Sequence, residues 1–237
     1  MRLDMYLFEN ELVQSRNKAG EMIKNREVLV EGNVVTKASF KVSENSNVTV
    51  EEKIQYVGRA GNKLKGFLQG FRDLHVKGTN CLDIGSSTGG FVQVLLEEGA
   101  LHVSAVDVGS EQLHISLRDD KRIKLYEQTD IREFKSDEKF DLVTCDVSFI
   151  GVEQILDDIN RLSNDKILIL FKPQFEVGVG VKRTSKGVVK DEFAIKKVKD
   201  KFVASCFALG WELLSTQESI LKGKEGNEET FYCFSKR

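Results

Sequence analysis

The run Cys81-Leu82-Asp83-Ile84-Gly85-Ser86-Ser87-Thr88-Gly89-Gly90-Phe91 constrains this chain more than any other. A short apolar strand meets a glycine-rich loop and a helix-forming segment follows at once, which is the strand-to-helix handover of an open α/β sheet. The pattern then repeats. Helix 89–98 leads to strand 103–108, helix 111–118, strand 123–126, strand 140–145, helix 152–162, strand 167–171 and helix 192–209. Two closing strands, 212–219 and 230–235, have no helix between them. Repeated βα units predict a parallel sheet with helices on both faces, and the helix-free pair predicts an antiparallel edge hairpin.

Residues 1–57 read as a separate small unit. Apolar spacing at Leu3, Tyr6 and Leu7 predicts a first helix over 2–12, and Ser15 caps a second through Ala19, Met22 and Ile23. The period then changes to two: Val28-Leu29-Val30, a turn at Glu31-Gly32, Val34-Val35, and a further strand 47–50. The polar stretch 51–61 reads as a linker, and residues 58–78 as its end plus a leading helix through Leu64, Phe67 and Leu68. Residues 79–237 form the larger domain.

With 41% hydrophobic and 30% charged residues among 237, the chain has the balance of a folded globular protein. Its longest apolar stretch, 167–171, falls far short of the roughly 18–20 residues that cross a bilayer. The N-terminus lacks the apolar core of a secretory signal, so a cytoplasmic protein is expected. Four widely spaced cysteines and three scattered histidines predict neither a disulfide framework nor a metal site. The net charge of −2 conceals two basic stretches. Residues 16–41 carry six Lys/Arg against three Glu, and 182–201 carry eight against three acids. Nucleic-acid contact and solvated helix faces both produce such a pattern.

The loop spacing selects among nucleoside ligands. A dinucleotide fingerprint needs G-x-G-x-x-G and a P-loop needs Gly-Lys-Ser/Thr, whereas this loop is G-x-x-x-G-G. Asp107 follows at the second strand's end, where a carboxylate can accept from ribose hydroxyls. Asp83 can anchor the amino-acid end of a ligand, and Asp130, at the third strand's tip, can meet an adenine amino group. The pattern suits S-adenosylmethionine, with Asp83, Gly85, Ser86, Ser87, Thr88, Gly89, Gly90, Phe91, Asp107 and Asp130 as its candidate contacts. The expected fold is therefore α/β, a Rossmann-like S-adenosylmethionine-dependent methyltransferase fold with a small N-terminal α+β module. Solvated strand-end carboxylates and glycines that merely turn the chain are the plainer alternative.

Two further strand tips carry polar groups: Asp146 in Cys145-Asp146-Val147-Ser148-Phe149, and Lys172 in Phe171-Lys172-Pro173-Gln174-Phe175-Glu176. An Asp beside a Lys across the crevice from a methyl donor supplies general-base chemistry for a weakly acidic nucleophile, provided the lysine can lose its own proton.

Here the chain resembles the TlyA family, rRNA 2′-O-methyltransferases often labelled hemolysins, which join a module like that of ribosomal protein S-four to an FtsJ-like methyltransferase domain. The resemblance rests on Arg2-Leu3-Asp4, Ser15-Arg16-Asn17-Lys18-Ala19, Gly58-Arg59-Ala60-Gly61-Asn62-Lys63-Leu64, the glycine loop, Ala105-Val106-Asp107-Val108-Gly109, Asp146-Val147-Ser148-Phe149-Ile150, Lys172-Pro173-Gln174-Phe175-Glu176, Lys186-Gly187-Val188-Val189 and Gly226-Asn227-Glu228-Glu229. It implies S-adenosylmethionine as cofactor, rRNA or ribosomal subunits as partner, and methylation of a cytidine ribose. It also implies a Lys-Asp-Lys-Glu tetrad on Lys63, Asp146, Lys172 and Glu229, with Lys172 as base. Glu228 and Glu229 are adjacent and only one can point inward from a strand; Glu229 is the choice.

Two departures stand out. Asn25 occupies the place where the family often has glycine before its hairpin, and Asn tolerates positive φ. Ile54-Gln55-Tyr56-Val57 replaces the family's Arg-x-Trp-Val linker sequence. The chain's ends look like the family's short form, which acts on the large subunit alone. Arg16, Lys18, Lys24 and Arg26 are candidate RNA contacts, and Arg59, Lys65, Lys182, Arg183 and Lys186 extend the set. An RNA-binding protein with a vestigial catalytic domain, a membrane-active hemolysin and a base-directed methyltransferase are the competing readings.

Overall fold

A computed structural model describes residues 1–50 and 56–236. The linker's first part, 51–55, with Ile54 and Gln55 of the departing motif, lies outside the described residues, as does Arg237. The chain divides after Gln55 into two compact units.

In the first unit, helices α1 (Leu3–Glu9) and α2 (Arg16–Lys24) precede strands β1 (Val28–Val30), β2 (Asn33–Val34) and β3 (Val48–Val50), paired antiparallel in the order β2-β1-β3. Ser15 Oγ accepts from Lys18 N at 3.2 Å, satisfying one of the free amides at the start of α2. Glu31 (φ 50°) and Gly32 (φ 75°) both take the left-handed conformation, as a two-residue hairpin turn of matching twist demands. Leu3, Leu7, Ala19, Ile23 and Val28 are fully buried and form the centre of this unit's core. The structure corrects two readings. The first helix stops at Glu9, because Glu11 turns to φ 56° and Leu12 N bonds back to Leu7 O. Asn25 keeps φ −78° as the α2 cap, and the left-handed residue is Arg26 at φ 64°.

The second unit begins with α3 (Arg59–Gly70), followed by β4 (Asn80–Ile84), α4 (Gly90–Glu97), β5 (His102–Val106), α5 (Ile115–Arg118), β6 (Ile123–Tyr126) and β7 (Phe140–Cys145). A 3₁₀ turn (Val152–Ile155), α6 (Leu156–Leu162), β8 (Ser163–Phe171), α7 (Pro173–Glu176), α8 (Glu192–Ala208), β9 (Trp211–Glu218) and β10 (Thr230–Lys236) complete it. The sheet order is β6-β5-β4-β7-β8-β10-β9. Its first five strands are parallel, so their carboxyl ends share one edge, while β10 enters antiparallel between β8 and β9.

The leading helix α3 is a full layer of this unit. Leu64 and Phe67 are buried with Phe91 of α4 and Phe231 of β10, with ring centroids 5.0 Å apart between Phe67 and Phe231. On the other face Phe171, Phe202, Tyr232 and Phe234 pack tilted and edge-on in the core that also holds residues of α6 and α8. The expected helix 111–118 contracts to the single turn α5. The reason is local: Glu127 accepts from Glu111 N (3.0 Å), Gln112 N (2.7 Å) and Leu113 N (3.1 Å), and this buttress holds the preceding residues as a loop. The turn α7, directly after Lys172, was not anticipated; Pro173 starts it, where a missing N–H costs nothing.

Candidate active site

The shared carboxyl edge of the parallel strands opens into a cavity of about 370 Å³, a size suited to a small-molecule ligand. Gly85, Ser87, Asp107, Gly109, Asp130 and residues 146–150 line it. Gly85 has φ 80°, and a Cβ there would stand 2.9 Å from Asp146 O, so two strand tips meet only because this residue lacks a side chain. Asp107 accepts from Ser87 N (2.8 Å) and Gly109 N (2.7 Å), which ties the loops after β4 and β5 together. Arg132 engages Asp130 (2.6 Å) and holds its carboxyl below the usual range.

Asp83 is 1% exposed. Its Oδ1 accepts from Thr144 Oγ1 at 2.6 Å, while Oδ2 is buried without a partner, as is Ser86 Oγ. Burial pushes the Asp83 carboxyl up to about 7, against the opposing Thr144 hydrogen bond. In the unfolded chain it titrates near 3.9. Between these values the folded protein holds a proton that the unfolded chain has released, so this group makes stability fall as pH rises from about 4 to 7. Asp83→Asn is therefore expected to raise the Tm at pH 8 and to raise it less at pH 5. A Tm difference independent of pH would show that Asp83 is not the group titrating.

Beside the cavity, two buried ion pairs lie at the strand ends. Lys172 Nζ stands 2.6 Å from Asp146 Oδ1 and donates to Ser148 Oγ at 2.9 Å. Lys63, from the first half of α3, bonds Glu229 Oε2 at 2.5 Å, with the two side chains 9% and 3% exposed. The pairs sense one another: burial raises the Asp146 carboxyl, Lys172 opposes most strongly, and Lys63 and Glu229 act with opposite signs. Glu228 turns outward to Lys222 at 2.8 Å, leaving Glu229 as the inward glutamate. The cluster can hold a hydroxyl-bearing substrate among two ammoniums and two carboxylates and move a proton from it.

An FtsJ-like methyltransferase family matches residues 56–236 and an S4 domain matches residues 1–48. A Campylobacter jejuni protein named 23S rRNA (cytidine-2′-O)-methyltransferase TlyA is 49% identical over the whole of both chains. The chain belongs to the TlyA family of FtsJ-like methyltransferases. A Mycobacterium tuberculosis TlyA, named for 16S/23S rRNA, is 37% identical over 97% of this chain and 88% of its own. A solved structure of a hemolysin-named protein from Streptococcus thermophilus matches all of this chain and 88% of its own, at 30% identity and TM-score 0.71. The fold is the Rossmann-like fold of S-adenosylmethionine-dependent methyltransferases, and S-adenosylmethionine is the cofactor of this TlyA family member. Among the described residues no helix is long and apolar enough to cross a membrane.

Against this TlyA frame, several sequence-read contacts fall elsewhere. Phe91 is 2% exposed and packs on Phe231, so its ring belongs to the core. Gly90 abuts α3, where an added Cβ would stand 2.8 Å from Gly61 N, and at Gly89 (φ 94°) a Cβ would run into Leu113 and Leu117. Thr88, which is exposed, lies outside the cavity lining. Lys65 faces α4 and is held by Glu97 and Glu98, both at 2.6 Å, which removes it from the RNA-facing candidates. Arg183 donates to Gln174 O and Gly178 O, both at 2.8 Å, and so shapes its own loop. Arg59 donates to Lys222 O at 2.7 Å. In the first unit Arg16 reaches Asp4 and Lys18 reaches Glu21, both at 3.3 Å, while Lys24 and Arg26 are exposed, as are Lys182 and Lys186 in the second.

Sequence reasoning missed Ser148, Thr144 and Glu127. Each is a polar residue at or beside a strand's carboxyl end, and extending that rule from Asp146 to its neighbours finds Ser148. It also missed Phe149, which is 94% exposed at the cavity rim and sits at φ 69°, an uncommon conformation for an aromatic residue.

Proposed function

We propose that the chain methylates the ribose 2′-hydroxyl of a cytidine in large-subunit rRNA. The reading is carried by the two buried ion pairs, Lys63–Glu229 and Lys172–Asp146, gathered beside the cavity at the carboxyl edge of the sheet. The substrate follows the relative named for 23S rRNA, which is 49% identical over both full chains.

The donor set fits the cofactor. Asp83 Oδ2 and Ser86 Oγ are buried polar atoms without partners, and a cationic, hydrogen-bonding amino-acid end would complement them. Asp107, with further lone pairs on both oxygens, would take the ribose hydroxyls, and Asp130 would face the adenine end. Gly85 and Ser87 would line the path between. When bound, S-adenosylmethionine supplies an electrophilic methyl group on a sulfonium. Lys172, after releasing its resting proton to water, takes the proton of the 2′-hydroxyl, and Asp146 stabilises the ammonium that re-forms. Ser148 fixes the position of Nζ. Lys63 and Glu229 orient the hydroxyl and balance the charge. Orientation of this kind contributes more than the base alone. Lys24 and Arg26, with Arg16, Lys18, Arg59, Lys182, Arg183 and Lys186 around their existing partners, would meet RNA phosphates, which gives affinity and position without reading sequence. Phe149 offers an open ring at the rim on which an unstacked base can rest.

The test is incubation with isotopically labelled S-adenosylmethionine and separated ribosomal subunits from a strain lacking the enzyme, followed by nucleoside analysis. Labelled 2′-O-methylcytidine confined to the large subunit is expected. Label in both subunits would remove the restriction to one, label on a base would reassign the chemistry, and no label in either would sink the rRNA substrate.

A further inference from the structure

A second cavity, of about 200 Å³, opens where Pro173, residues 188–190, α8 and the turn 222–228 meet. Its lining carries Lys190, Lys199 and Lys222 against Glu192 and Glu228. Lys222 is paired with Glu228, whereas the side chains of Lys190 and Lys199 make no hydrogen bond or ion pair among the described residues. The Glu228 carboxyl is held below its usual range by Lys222 first and by Lys199 and Lys190 in addition, so the three ammoniums act on one place.

This cavity adjoins the reaction centre through two chain segments. Pro173 follows Lys172, and Glu228 precedes Glu229, each a single step of about 3.8 Å between Cα atoms. Its walls are braced: Asn227, 5% exposed, accepts at Oδ1 from Val189 N at 3.0 Å and so clasps one rim to the other. Among the described residues these two cations have no direct ion-pair partner and only the Lys222-paired Glu228 acting on them from farther off, yet an RNA strand brings an anion unavoidably. A ribose that offers its 2′-hydroxyl to Lys172 carries a phosphodiester on the adjacent 3′-oxygen, and the next phosphate lies one nucleotide along.

We propose that this cavity is a phosphodiester subsite, in which Lys190 and Lys199 hold a backbone phosphate of a nucleotide neighbouring the target ribose. The inference rests on the RNA substrate proposed above. Glu228 is then a competing internal anion that the phosphate displaces from Lys222. Lysine suits this role as a flexible point charge with three donors.

The test uses the full chain, intact large ribosomal subunits and a range of KCl concentrations. For Lys190→Gln/Lys199→Gln the KM for subunits is expected to rise roughly ten-fold, the scale of losing a charge-assisted contact. The turnover at saturating subunits is kept. The slope of log affinity against log salt, read with a labelled single-stranded RNA, becomes shallower by about 0.7 per lysine. Glu228→Gln is expected to lower KM, a gain that a merely structural role would not produce. Lys139→Gln, exposed before the amino end of β7, serves as the control. An unchanged KM and salt slope in the double variant, with wild-type methylation intact, would overturn the subsite alone. Wild-type protein that methylates no RNA would overturn the proposed function and this inference with it.

Discussion

Lys172→Ala is expected to slow methyl transfer by about 10²–10⁴-fold, the range that a positioned general base contributes. The side chain is only 9% exposed, and Asp146 at 2.6 Å and Ser148 at 2.9 Å determine where its nitrogen stands. On the proposed mechanism, loss of the amine removes the proton acceptor, and it leaves Asp146 buried without its cation. Because that carboxyl is already pushed up by burial, it would take a proton itself, which keeps the fold while ending the chemistry. Single-turnover rates with labelled cofactor and large subunits, beside calorimetric cofactor binding, check this. Retained binding with a lost rate is the expected pair of results. A rate within three-fold of wild type would remove Lys172 as base and direct attention to Lys63.

Glu229→Ala is expected to cost about 3–5 kcal/mol of stability, because it strands the Lys63 ammonium in a buried site. For a domain of this size that corresponds to a fall in Tm on the order of 10 °C. The two side chains are 9% and 3% exposed, too buried for water to take over the missing partner. Replacing both charges, as Lys63→Met/Glu229→Leu, is expected to recover most of the stability, since apolar groups of similar size have no desolvation penalty to offset. It should recover none of the methyl transfer. Thermal melts of the single and double variants with transfer assays separate the two roles. A double variant that regains both would make the pair purely structural.

The legible part of this chain was local. Alternating strands and helices, the glycine loop after β4 and the Ser15 cap each depend on neighbours within a few residues, and the structure bears them out, with most ends shifted by a residue or so but the first helix three residues shorter at its end and β8 starting four residues earlier. Helix 111–118 shows the limit of local reading. Its apolar spacing is helical, yet the Glu127 carboxylate, fourteen or more residues away, collects three amides and keeps a loop there. Phe91 and Lys65 show it again. One sits in a cofactor-like motif and the other in a basic run, but the facing helix decides that the ring packs inward and the ammonium is neutralised.

The site divides in the same way. Asp83, Asp107, Asp146 and Lys172 were readable as strand-end polar groups, because the carboxyl edge of a parallel sheet is where ligands bind and the strands could be counted. Lys63 and Glu229 came only through family resemblance. They are 166 residues apart and meet because α3 packs against the sheet while β10 enters antiparallel beside β8, reversing the direction from which Glu229 approaches. The order of residues thus determined which segments become strands and helices and which loops stay open for a ligand, since backbone propensity and periodic apolar burial act over short range. Tertiary structure alone decided which charges are paired, buried or left free. That depends on the desolvation each charge suffers and the partner brought to it by distant segments, neither of which any local stretch of sequence contains.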